Sequence, residues 1–128
     1  MAYQHATIDG VLSDLLSRFQ SASLGITGSL IVDSDGFVIA SNLPNGGEER
    51  RIAGIGAALI ALGEQVVGEL HHGQLKRAFI EGDDGYVTAI NLSAEAALIV
   101  LAHRHAKPGL VFSQMERAAV SIRKIMKL

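Results

Sequence analysis

The chain of 128 residues has the length of one domain and leaves little room for two. Its 11 Lys and Arg against 13 Asp and Glu give a net charge of −2, which provides no electrostatic footprint for nucleic acid or an anionic membrane. It has no Cys, which excludes disulfides, thiolate catalysis and Cys-ligated zinc; 48% of its residues are hydrophobic but only 5% aromatic, so the core is one of Ala, Ile, Leu and Val.

The N-terminal Met1, Ala2, Tyr3, Gln4 and His5 lack the charged and apolar regions of a secretory signal. No stretch reaches the ~18 apolar residues of a membrane span. A cytoplasmic protein without membrane contact is expected. Residues 8–19 place Ile8, Leu12, Leu15, Leu16 and Phe19 at helical spacing, with Thr7 or Asp9 as cap. Two β-rich runs, 29–32 and 37–40, flank the turn Asp33-Ser34-Asp35-Gly36 and predict a hairpin. Residues 42–47, with Pro44 and two glycines, read as a loop.

A long helix then runs from Glu48 and Glu49 to about Leu70, with its acids where the dipole favours them. Strands follow at 75–81, 86–92 and 97–102, joined by short turns into an antiparallel meander. Pro108 suits a first helical turn, and residues 110–126 form the last helix, with Leu110, Met115, Ala118, Ala119, Ile122 and Met126 as its buried stripe. Arg117, Arg123, Lys124 and Lys127 read as a helix C-terminus favoured by the dipole. The fold class is α/β (α+β), in the order α-β-β-α-β-β-β-α, over a single domain spanning 1–128.

The central helix is apolar on both sides. On a wheel of ~100° per residue, Ile52, Ile55, Leu59, Leu62, Val66 and Leu70 share one face, which is expected to pack on the sheet. The other face carries Ala53, Gly54, Ala57, Ile60, Ala61 and Gly68, small residues that would let a second backbone approach. Four glycines, Gly54, Gly56, Gly63 and Gly68, each cost roughly 0.5–1 kcal/mol relative to Ala in such a place. Either another element of the same chain or a two-fold mate would cover that face.

Other motifs have ordinary readings. Gly54-Ile55-Gly56 imitates a dinucleotide fingerprint but lies inside a helix, where the amides are already bonded. Asp33-x-Asp35-Gly36 matches only the opening of a calcium loop, and Gly82-Asp83-Asp84-Gly85 is a similar turn. His71-His72 and His103-x-His105 have no carboxylate placed by sequence to orient them as metal ligands. Arg50 and Arg51 open the central helix; an arginine finger is one reading and pairing with Glu48 and Glu49 the other. No catalytic residue, metal site or cofactor is expected.

The order of elements, the hairpin Leu30-Ile31-Val32-Asp33-Ser34-Asp35-Gly36-Phe37-Val38-Ile39-Ala40, the small-residue helix from Arg50 to Gly68, Gly85-Tyr86-Val87 and Leu98-Ile99-Val100-Leu101 together resemble the Roadblock family, related to a dynein light chain and here of prokaryotic type. The resemblance implies a profilin-like five-stranded antiparallel sheet between helices. It implies a homodimer in which the central helix packs on its mate through Ala53, Ala57, Ile60, Ala61 and Glu64. In that dimer the strand at 75–79, with Leu75, Arg77 and Phe79, pairs with its mate. It also implies a non-catalytic regulator or scaffold of a small Ras-like GTPase, in some bacterial members a GTPase-activating protein, with Arg50, Arg51 and Gln65 as partner-binding residues. Two alternatives stand beside it: a sensory domain holding a small molecule between sheet and helices, and a structural adaptor in a motor or signalling complex.

Overall fold

The computed structural model describes residues 7–23, 25–44 and 48–128. The reading of Met1 to His5 as no signal segment, and that of Asn45, Gly46 and Gly47 as loop, fall outside those residues. Eight elements follow in the expected order: α1 (Ile8–Ser21), β1 (Ile26–Asp33), β2 (Val38–Asn42), α2 (Glu49–Glu69), β3 (Ala78–Glu81), β4 (Gly85–Ser93), β5 (Ala96–His103) and α3 (Pro108–Met126).

The five strands form one antiparallel sheet in the order β2-β1-β5-β4-β3. β5 lies in the centre, which explains its unbroken apolar sequence, since a strand covered on both faces has no polar side. Its alternate residues serve two cores. Leu98, Val100 and Ala102 face α1 and α3 together with Leu12, Leu16, Met115 and Ile122. Ala97 and Ile99 face α2 with Leu30, Val32, Ala53 and Ile60. The architecture is therefore three-layered, with two helices on one face and α2 alone on the other.

Local chemistry sets the element ends. Thr7 caps α1, its hydroxyl accepting the Gly10 N–H at 3.0 Å. In the β1–β2 turn one carboxylate oxygen of Asp33 accepts the N–H groups of Asp35 and Phe37, each at 2.9 Å, and Gly36 takes φ +85°. The Ser41 hydroxyl donates to Glu49 at 2.6 Å, tying β2 to the first turn of α2. Arg123 reaches from α3 to the bulged end of β4, donating to the carbonyls of Leu92 (2.8 Å) and Asn91 (3.1 Å). It is thus a clamp between elements as well as a charge near a helix end.

The structure corrects several expectations. Ile8 and Leu110 are exposed, and Val111 takes the buried place expected of Leu110, because α3 already starts at Pro108 and its stripe runs 111, 115, 118, 119 and 122. β3 begins at Ala78, so Leu75 and Arg77 precede the strand. His71 and Gly73 have φ of +56° and +88°, and this left-handed turn spends the following residues on crossing back to the sheet. The most apolar 18-residue window of α2 has mean hydropathy 1.4, enough for a membrane span by length and composition alone, although Glu64 and Gln65 interrupt it and leave no unbroken apolar run of that length.

Candidate partner interface

α2 rests on the sheet through its small residues. Ala53 is 0% exposed and Ile60 7%, and Gly56 is buried between them. A Cβ at Gly56 would lie 1.9 Å from Cδ1 of Ile99, so only hydrogen fits there. At Gly63 a Cβ would meet both methyls of Leu75 at 3.1 Å. The large side chains beneath α2 come from the sheet: Leu30, Val32 and Ile99 stand up from it and leave room only for a helix with little of its own.

The face assignment read from the sequence therefore holds only in part. Ile55 (56% exposed), Leu62 (57%) and Val66 (47%) point outward, and Leu70 lies exposed beyond the helix end. Only Ile52 and Leu59 of the predicted sheet face pack, half-buried, on the core. Of the residues assigned to a seam, Ala53 and Ile60 are closed off within the chain's own core. Ala57 is half-buried beside the β1–β2 turn, while Ala61 and Glu64 remain exposed. Among the described residues, an added Cβ at Gly54 or Gly68 would meet nothing within 4 Å. The outward surface of α2 thus combines small residues, Gly54, Ala58 and Ala61, with an apolar ridge of Ile55, Leu62 and Val66. Sequence reasoning missed that ridge because it took large aliphatics for the buried side; the glycine at 56, flanked by alanines at 53 and 57, was the usable signal.

At the sheet margin β3 pairs with β4, from Ala78↔Ala89 to Glu81↔Tyr86, and among the described residues no strand covers its other edge. Ile80, opposite Val87, is 55% exposed. Phe79 points to the other sheet face, where its ring lies 5.1 Å from Tyr86 and 5.6 Å from Phe112. Arg77 stacks over Phe112 at 4.4 Å, and Leu75 tucks under Gly63. Leu75 and Arg77 are thus engaged inside the chain.

The polar candidates are scattered rather than gathered. Arg51 pairs with Glu48 at 2.7 Å on the surface, as one of its two readings expected, and such an exposed pair contributes little to stability. Arg50 and Gln65 are exposed on α2. His103 and His105 stack with ring centroids 4.9 Å apart at the end of β5. Burial, then the Glu81 carboxylate, hold the Tyr86 phenol above its ordinary value of 10.0, and it donates to the Ala106 carbonyl at 3.0 Å. A small cavity of about 70 Å³ lies between α2 and the sheet, lined by Val32, Ala57, Ile60 and Ala97 among others.

Comparison with known proteins places this arrangement. Two uncharacterized proteins of Methanocaldococcus jannaschii are each 33% identical to the chain over 116 residues, covering 91% of it and 96% of themselves. Among solved structures, a Roadblock/LC7 domain from Streptomyces avermitilis superposes with a TM-score of 0.85 at 19% identity, over 91% of this chain and 98% of that one. An MglB with a tetrameric arrangement gives 0.83 at 18%, over 94% and 91%. Profilin II of Acanthamoeba castellanii gives 0.60 at 12%, over 91% and 96%, so the fold is profilin-like as expected. Residues 12–102 match the Roadblock/LC7 domain, and the chain belongs to that family.

Proposed function

We propose that this protein is a homodimeric, non-catalytic regulator or scaffold that binds a small Ras-like GTPase. The observation that carries the dimer is the outward apolar ridge of α2. Ile55, Leu62 and Val66 line one side of a helix that the chain's own sheet covers only on the other. Isolated exposed aliphatics are ordinary, but three at positions 55, 62 and 66 beside Gly54, Ala58 and Ala61 make a continuous strip. The open edge of β3 and the exposed Ile80 extend the same surface, so a two-fold mate would cover helix and edge at once. The likeness to an MglB with a tetrameric arrangement supports self-association as a habit of this fold.

The GTPase rests on family membership. Arg50, Arg51 and Gln65 are exposed along α2, where a partner laid across two such helices would meet them. Sedimentation should give a dimer at micromolar concentration; a monomer there overturns the first half. Adding the purified dimer to GTP-loaded small GTPases of the same host, and reading both complex formation and hydrolysis, tests the second half. Complex without acceleration favours the adaptor reading, and no complex with any of them overturns the GTPase. The small-molecule reading has less support: the space directly under α2 is only about 70 Å³, and the larger hollow of about 570 Å³ beside its C-terminal end, bordered by Glu64, Gln74 and Asn91, is open and mainly polar rather than an apolar pocket.

A further inference from the structure

On the sheet face opposite α2, the helices α1 and α3 lie side by side and leave a groove along their outer surface. One stretch, of about 480 Å³, has Leu15, Phe19 and Ala118 as its floor. A second, of about 360 Å³, continues past Ala22 and Gln114, which border both, to Leu110 and Val111. Among the described residues the charged side chains along it are Arg18, Arg117 and Lys107, with His105 at one end, and no Asp or Glu lines it. Asp9, Asp14 and Glu116, the acids of these two helices, lie outside the lining. In a chain of net charge −2, a trough whose charged lining residues are all cationic is a local reversal of sign.

We propose that this groove docks an acidic amphipathic helix of a partner protein. An open trough between two neighbouring helices with Leu15, Phe19 and Ala118 on its floor suits the apolar stripe of a third helix, with residues at i, i+3, i+4 and i+7 seated over them. The rim sets the charge: carboxylates flanking that stripe would meet Arg18 on α1 and Arg117 on α3, while Lys-bearing helices would be repelled. An anionic lipid surface would meet the same cations, and co-sedimentation with vesicles distinguishes it from a helix.

The test uses the full-length protein and two labelled 18-residue helical peptides, identical in a Leu stripe, one flanked by Glu and the other by Lys. Fluorescence anisotropy should show the Glu peptide binding at least tenfold tighter than the Lys peptide, with weakening as salt rises. Amide shifts should map to α1 and α3. The exposed pair Arg18→Glu/Arg117→Glu should reverse the preference, so that the Lys peptide becomes the tighter one; this readout needs only a folded protein, checked by circular dichroism. Equal binding of both peptides, shifts confined to α2, or an unchanged preference in the double variant overturns the proposal. So does co-sedimentation with phosphatidylserine vesicles in the absence of Glu-peptide binding.

Discussion

Gly54 and Gly56 stand two residues apart on α2 and answer to different constraints. At Gly56 an Ala would drive its Cβ into the fully buried Ile99, whose side chain has no free space to turn into. Gly56→Ala should destabilise the fold by about 1–3 kcal/mol, read from urea unfolding. At Gly54 nothing stands near an added Cβ, so Gly54→Ala should stabilise the folded chain by about 0.5–1 kcal/mol through helix propensity. A simultaneous loss of self-association would place Gly54 in the seam. Thr88 is a third case: its hydroxyl is buried and has no hydrogen-bond partner among the described residues. Thr88→Val keeps the shape and removes the unmet donor, so it should raise stability by about 1 kcal/mol, visible as a higher urea midpoint. Tyr86 carries a pH dependence. Its folded phenol is held above 10.0, so the neutral form is favoured in the fold. Its contribution is complete below pH 10 and is lost as pH rises beyond it, because the unfolded phenol ionises first. Tyr86→Phe should cost about 0.5–1.5 kcal/mol near neutrality, through the lost bond to Ala106. The gap between the two proteins should shrink when unfolding is repeated above pH 10; a constant gap would contradict this.

Among the elements α2 carries the functional argument, and its outward ridge is separable from its fold. Leu62 is more than half exposed, so Leu62→Glu should leave the far-ultraviolet spectrum nearly unchanged and lower the unfolding midpoint only by the stabilisation that self-association supplies. In a dimer closed by that ridge it would bury an unpaired carboxylate, and sedimentation should then show monomer. Ile60→Glu is the contrast: Ile60 belongs to the inner core and the change should unfold the chain. Most of the fold was legible because period and turn chemistry agreed. The Asp33–Gly36 turn, Thr7 before α1, Pro108 at the start of α3 and the doubly buried run of β5 each have a local cause that the sequence displays. The side of α2 that meets the sheet was not legible. A helix apolar nearly all round gives a wheel no polar reference, and the deciding fact is the height of Ile99 on a strand more than 40 residues away. Leu75 and Arg77 were misplaced for a similar reason. Their apolar and basic character fits an edge strand, but Gly63 and Phe112, distant in sequence, hold them out of it.

At the scale of the molecule the sheet is a partition. α2 lies on one face and the α1–α3 groove on the other, and the core residues that serve them alternate along the same strands without sharing side chains. Perturbations at exposed residues on the two faces have no common contact through which to couple, so their effects should add. The triple variant Leu62→Glu with Arg18→Glu and Arg117→Glu provides the test. Sedimentation should show the same loss of dimer as Leu62→Glu alone. Peptide anisotropy should show the same reversed charge preference as the arginine pair alone, within a factor of about two. If dimer loss changed the peptide preference, the groove would have to extend across two chains, since nothing on α2 lines it within one. Additivity would instead describe a protein with two outward surfaces, one apolar and self-complementary, one cationic and grooved, held back to back by five strands.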